Sequence, residues 1–242
     1  MRTSLVIPAA GRGLRFGGSG RSGTDTPKQL LPLAGRVVLL RSLDAFTGLV
    51  DEAVLVVSDD LRVDVERLLA NARFTFPVRL TAGGATRQES VHRGLLSTDI
   101  SADVVLVHDA VRPLVPTRCI SACIAALANA DAAVVAIPCA HTVKRSRLSH
   151  GDATLVDATV PREDLWLAQT PQGLRRAAGL AAFARAAAEG WSCSDDVQVM
   201  ERAGHLVALV PGDARNIKLT TPDDWAVAEA LLAVPAVGSK SF

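Results

Sequence analysis

Two cations and an aspartate stand where they could handle phosphate. Arg15 and Lys28 bracket a glycine-rich loop that follows the apolar run Leu5-Val-Ile-Pro8 and the turn Ala9-Ala10-Gly11. Side chains stay small there until Arg12, so backbone N–H groups can approach a bound group closely. With Gly13 next in the loop and two converging cations, this is the chemistry of a wrap around a polyphosphate. Asp109 lies in His108-Asp109-Ala110-Val111-Arg112-Pro113, directly after a second apolar run. Ligands of open α/β sheets bind beyond the carboxyl ends of strands, so Asp109 should face the first loop. A carboxylate opposite a polyphosphate is a natural Mg²⁺ anchor, because magnesium favours one or two carboxylates plus phosphate oxygens. Gly83-Gly84 opens a helix after a strand, where backbone can approach a flat ligand, and Ser90 adds a hydroxyl one turn on. Lys218, in Asn216-Ile217-Lys218, falls at another strand-end loop. Singly, each has a plainer reading as a tight turn, a cap or a solvated charge; the ordered set argues for a site.

The elements that must position these residues follow from hydrophobic patterning. Strand-like apolar runs bounded by turn residues occur at 4–8, 52–57, 78–81, 103–107, 132–137 and 206–210. Helical periodicity covers 38–46, 61–69, 86–96, 120–127 and 174–188. Alternation of nearly continuous apolar strands with helices predicts an α/β fold with a mostly parallel sheet covered on both faces. Thr86-Arg-Gln-Glu89 reads as a capping box, and Thr221-Pro222-Asp-Asp224 places proline at the first helical position. Residues 142–162 break the pattern: β-type but polar on both faces, with a turn at His150-Gly151-Asp152. That predicts a protruding β-arm too poor in apolar residues to fold alone, for which a second copy of the chain is the economical partner. The expected organisation is a single domain over 1–233, with a dimerisation arm at 142–162 and a flexible tail at 234–242.

Composition narrows the function. The 242 residues are 49% hydrophobic, and 26 basic residues nearly balance 25 acidic ones. No basic excess supports a nucleic-acid or membrane footprint, so bound anions should be small and local. Four cysteines lack CxxC spacing and suit reduced core thiols, which with the absence of a long apolar segment implies a cytoplasmic protein. There is no GxxxxGK[ST], the turn Gly11-x-Gly13-x-x-Phe16 lacks the third small residue of a dinucleotide fingerprint, and no GxSxG is present. P-loop, NAD-dependent and serine-hydrolase chemistries are thereby set aside.

The motifs together resemble the 2-C-methyl-D-erythritol 4-phosphate cytidylyltransferases of the non-mevalonate isoprenoid pathway. Those that carry the likeness are Pro8-Ala-Ala-Gly-x-Gly-x-x-Arg15, Pro27-Lys28-Gln29, Gly83-Gly84-x-x-Arg87-x-x-Ser90, His108-Asp-Ala-x-Arg112-Pro113, Thr170-Pro171-Gln172 and Asn216-Ile217-Lys218. The resemblance implies a Rossmann-like three-layer nucleotidyltransferase fold. It also implies transfer of CMP from CTP to the polyol phosphate, with pyrophosphate released. Its catalytic cations would be Arg15, Lys28 and Lys218. CTP would lie on Ala9, Ala10, Gly11, Gly13, Gly84 and Ser90, with Mg²⁺ on Asp109. The polyol phosphate would meet Arg112, Thr170 and Lys218, joined by Thr142 and Arg162 from the partner's arm in a homodimer. His108 is assigned to structure. The loop between Phe16 and Pro27 is longer than the family pattern, and Arg21 within it competes with Arg15 as a phosphate ligand. Rival readings are a ribitol 5-phosphate cytidylyltransferase and a catalytically silent nucleotide-binding module.

Overall fold

Leu5, Val6 and Ile7 are all fully buried although their side chains point to opposite faces of one strand. A strand can bury both faces only between two layers, and that is the architecture of the computed structural model, which describes residues 1–11, 26–147 and 154–234. In chain order, β1 (Thr3–Pro8) leads through a 3₁₀ turn (Lys28–Leu30) to the short ribbon β2 (Pro32–Leu33) and β3 (Arg36–Val37). Then come α1 (Val38–Asp44), β4 (Glu52–Val57), α2 (Asp59–Ala70), β5 (Val78–Ala82), α3 (Arg87–Leu96), β6 (Val104–Val107), α4 (Thr117–Ala126) and β7 (Ala132–Pro138). Strands β8 (Val143–Arg147) and β9 (Leu155–Val160) pair only with each other. The chain closes with β10 (Trp166–Arg175), α5 (Arg176–Ala188), α6 (Asp196–Arg202), β11 (Val207–Pro211) and α7 (Pro222–Ala233).

The central sheet has the order β11-β7-β10-β6-β1-β4-β5. Neighbours run parallel except at β10, which is antiparallel to both β6 and β7. On one face Leu5, Ile7, Leu55 and Leu106 pack on α1, α2 and α4 through Leu39, Leu43, Val65, Ile120 and Leu127. On the other, Val6, Val54, Val56, Val105 and Val107 meet α3, α5 and α6 through Val91, Leu95, Phe183, Val197 and Met200. The expected three-layer, mostly parallel fold is therefore present.

Strand β10 is the main departure from the sequence reading. Residues 174–175, assigned there to a helix, end this strand, and α5 begins only at Arg176. Its sequence hid it, because a proline mid-run argues against a central strand. The strand accommodates Pro171 with a register break against β7 between Ala168 and Gln172. Helix α6 was also not anticipated; at seven residues it is too short to show a period. Both helix starts behave nearly as read. Thr221 and Asp224 form a full capping box, with Pro222 at the first helical position. At α3 only half the box forms: Thr86 Oγ1 accepts from Glu89 N, while the Glu89 carboxylate turns to Ala85 N at 2.8 Å. Within 142–162 the structure has the exposed antiparallel pair β8–β9, tied by Arg145–Asp157 at 2.9 Å. Its anticipated turn at His150-Gly151-Asp152 lies outside the described residues.

Candidate active site

The carboxyl ends of β1, β4, β5 and β6 set the site. Ala9 N bonds back to Val56 O at 2.8 Å and Gly83 N to Val57 O at 2.8 Å, so the loops after β1 and β5 meet over the end of β4. A Cβ on Gly83 would lie 2.6 Å from that of Ala10, so only glycine lets the two loops touch. Ser90 Oγ donates to Thr86 O and accepts from Gly84 N at 3.0 Å, which fixes the glycine turn, a task the sequence reading did not give this hydroxyl. Buried Gln29 clamps the segment that follows β1, its Nε2 donating to Ala9 O at 2.9 Å and Gly11 O at 3.0 Å. Half-buried Lys28, the residue before it, is thereby carried to the same edge. Gly13, Arg15 and Arg21 lie outside the described residues.

Asp109, two residues past β6 and next after His108, is 7% exposed and faces three cations. Arg87 Nη2 stands 3.4 Å from Oδ1, while Arg112 Nε and Lys218 Nζ stand 3.2 and 3.0 Å from Oδ2. Burial alone would raise the Asp109 pKa, but attraction to Arg87, Lys218 and Arg112 overrides it and holds the carboxyl well below the usual range. Arg87 opposes its own burial through Asp196, which it grips at 2.9 and 2.8 Å, and its pKa is raised. Lys218 is the most exposed cation of the cage, its side chain 42% exposed against 35% for Arg87 and 12% for Arg112.

Antiparallel β10 brings Thr170 here. Gln172 pairs with Val107, so the residues before it overhang the end of β6. Thr170 Oγ1 accepts from Asp109 N at 3.1 Å and meets His108 Nδ1 at 3.0 Å. His108 is fully buried, its Nε2 meets Arg112 O at 3.0 Å, and burial lowers its pKa to about 4, so it is neutral and structural, as expected. Thr142 and Arg162 join no cation cage: both are exposed, and Arg162 donates to Ala140 O at the root of its own arm. Sequence reasoning missed the role of Arg87, although it stands inside the Gly83–Ser90 motif, and missed Asp196 altogether. The Arg87–Asp196 pair spans 109 positions, and no local pattern announces it.

The family model of 2-C-methyl-D-erythritol 4-phosphate cytidylyltransferase matches residues 3–234. The chain belongs to this family. It is a nucleotidyltransferase of the non-mevalonate route to isoprenoids, and its reaction is CTP-dependent cytidylyl transfer to 2-C-methyl-D-erythritol 4-phosphate. The family's enzyme from Deinococcus radiodurans is 44% identical over 95% of this chain and 89% of its own, and that from Geotalea uraniireducens 40% identical over 96% and 97%. The crystal structure of the enzyme from Thermus thermophilus superposes with a TM-score of 0.76 at 34% identity, covering 97% of this chain and all of that one. A synthase structure from Anaerococcus prevotii gives 0.80 at 30% identity, over 96% and 99%. Among the described residues no helix is long and apolar enough to cross a membrane.

Proposed function

We propose that the cage around Asp109 is the meeting place of the two anionic substrates. The observation that carries this reading is one buried carboxylate enclosed by Arg87, Arg112 and Lys218 at the edge where the β1, β5 and β6 loops converge. Cytosine rests on Ala9, Ala10 and Gly84 beside Ser90, while Gly11 and Gly13 line the rest of the CTP site and Arg15 and Lys28 hold the triphosphate. Arg112 and Lys218 hold the polyol phosphate, with Thr170 at its border. An oxygen of that phosphate bonds to the α-phosphorus of CTP as the bond to the β-phosphate oxygen breaks, and pyrophosphate carries away the electron pair. The attacking group is already anionic, so no general base is needed. Positioning and charge neutralisation do the work. The cation set and the neutral, buried His108 both suit that scheme.

Asp109 fits a Mg²⁺ ion held mainly by substrate phosphates: it offers one ionised carboxylate, and no cluster of three metal-binding side chains occurs among the described residues. Bound there, the metal would neutralise phosphate charge. In the structure that carboxylate is shared by Arg87, Arg112 and Lys218. We further read 1–233 as one domain that dimerises through the arm at 142–162, with the partner subunit's Thr142 and Arg162 reaching the acceptor. The exposure of Leu155, Val156, Trp166 and Leu167 along the arm and its root supports that reading. The four unpaired cysteines support a cytoplasmic location, and the balanced charge supports small-molecule partners rather than nucleic acid. Pyrophosphate release with each of the four nucleoside triphosphates, crossed against methylerythritol phosphate and ribitol 5-phosphate, tests the specificity. Only CTP with methylerythritol phosphate should turn over fast; equal rates with ribitol 5-phosphate would overturn it.

A further inference from the structure

Three of the groups assigned to the acceptor come from separate segments: Arg112 from the loop after β6, Thr170 from the irregular part of β10, and Lys218 from the loop after β11. Something must register these segments against one another. Asn216 touches all three. It is fully buried, and its Nδ2 donates to Thr170 O at 2.8 Å and Gln169 Oε1 at 3.1 Å. Its main-chain carbonyl accepts from Arg112 Nη1 at 2.7 Å, and its N–H donates to Asp213 O at 3.0 Å. Lys218 follows two residues later and reaches Asp109.

We propose that Asn216 is a positioning residue for the acceptor phosphate, setting Arg112, Thr170 and Lys218 in a fixed mutual geometry; the proposal rests on the acceptor reading above. The hydrogen-bond inventory of this side chain decides how it works. Both amide hydrogens are used on oxygens that are acceptors only in this arrangement, while Oδ1 has no partner. The amide orientation is fixed, because turning it over would set Oδ1 against the Thr170 carbonyl. Gln169 cannot turn to help: its own Nε2 donates to Asp213 O at 2.8 Å and its Oε1 accepts from Asp213 N at 3.3 Å. The function of Asn216 therefore resides in two donors, aimed at the segment that carries Thr170. Aspartate keeps the shape but offers no donor and sets negative oxygen against two acceptors. Serine keeps one hydroxyl donor with a shorter reach.

None of these contacts touches the loops that receive cytosine or the triphosphate. A loss at Asn216 should therefore appear in the acceptor and not in the nucleotide. In the full-length enzyme, Asn216→Ser should raise the KM for methylerythritol phosphate about tenfold, the scale of one lost hydrogen bond. Asn216→Asp should raise it further. The Kd for CTP, measured by calorimetry without acceptor, should stay within about twofold of wild type on the same scale. Lys218→Ala is the control that separates the two layers of the argument. Acting on the same phosphate, Lys218→Ala and Asn216→Ser should be non-additive when combined. If Lys218→Ala leaves the acceptor KM unchanged, the acceptor reading itself fails. If Lys218→Ala raises it and Asn216→Ser does not, or the two add independently, Asn216 has no positioning role. Parallel loss of CTP affinity and acceptor affinity, or loss of the fold in both the serine and aspartate variants, would overturn the proposal by making Asn216 a residue of stability alone.

Discussion

Charge that grows during transfer is met at single side chains. Lys28→Ala should lower kcat far more than it raises the KM for CTP, costing on the order of 2.7–4 kcal/mol, the scale of one transition-state donor. Steady-state kinetics decide it, and a near-normal kcat would remove Lys28 from the chemistry. Asp109→Asn removes the one negative group that Arg87, Arg112 and Lys218 share. Activity should fall and half-saturation should need more Mg²⁺, read from initial rates across a magnesium titration. A chemical contrast concerns the thiols. Burial pushes the Cys123 thiol up to about 12, whereas Cys193 is half-buried in the segment before α6. Iodoacetamide at pH 8 should label Cys193 in the folded protein and Cys123 only after unfolding, as peptide mass mapping would show. Much of this residue-level picture was legible in sequence: Asp109, Arg112, Ser90 and Lys218 each sit in a short motif at a strand end. Arg87–Asp196 and the clasp of Asn216 on Thr170 were not, because each exists only once distant segments are packed together.

Elements were legible in proportion to how far local pattern agreed with tertiary role. Strand β4 runs over the expected six residues because every one of them is buried and no polar break interrupts the run. Strand β10 was illegible because its register break and Pro171 erase the pattern where it crosses the site. Close helix–sheet approach is likewise hidden in a single glycine. On α3, Gly94 faces Val6 and Val56, and a Cβ there would overlap Val6 and lie 2.9 Å from Val56 Cγ2. Gly94→Ala should destabilise the fold by about 1–3 kcal/mol through overpacking, despite the higher helix propensity of alanine. Urea denaturation checks this, and an unchanged midpoint would mean that α3 can lift from the sheet. Thr221→Ala, which deletes half of the α7 capping box, should cost about 1 kcal/mol in the same assay while leaving the site intact.

At the scale of the whole molecule, a hairpin that buries almost nothing of itself should be exchanged across a two-fold axis. Arg162→Ala and Lys28→Ala homodimers should each be nearly inactive. Refolded together, they should give roughly half hybrid dimers, each with one site intact and one doubly damaged, and hence roughly a quarter of wild-type activity. No recovery in verified hybrids would mean that the arm serves its own subunit. The sheet order has a mechanical consequence as well. Strands β7 and β11 share no ladder with β6, so every sheet hydrogen bond that unites the two leaves of the sheet passes through β10. Loosening that one strand should release β7 and β11 together, as a block, while β1, β4, β5 and β6 stay protected. Gly173→Ala would drive a methyl to 2.9 Å from Leu127 Cδ1 and 3.0 Å from Cys123 Sγ, prising at this join. Native-state hydrogen exchange should then show amides of β7 and β11 opening in unison, well below the energy of global unfolding. A seam of this kind makes the sheet behave as two leaves of a book, bound along a spine that starts at the root of the arm and passes Thr170 beside Asp109.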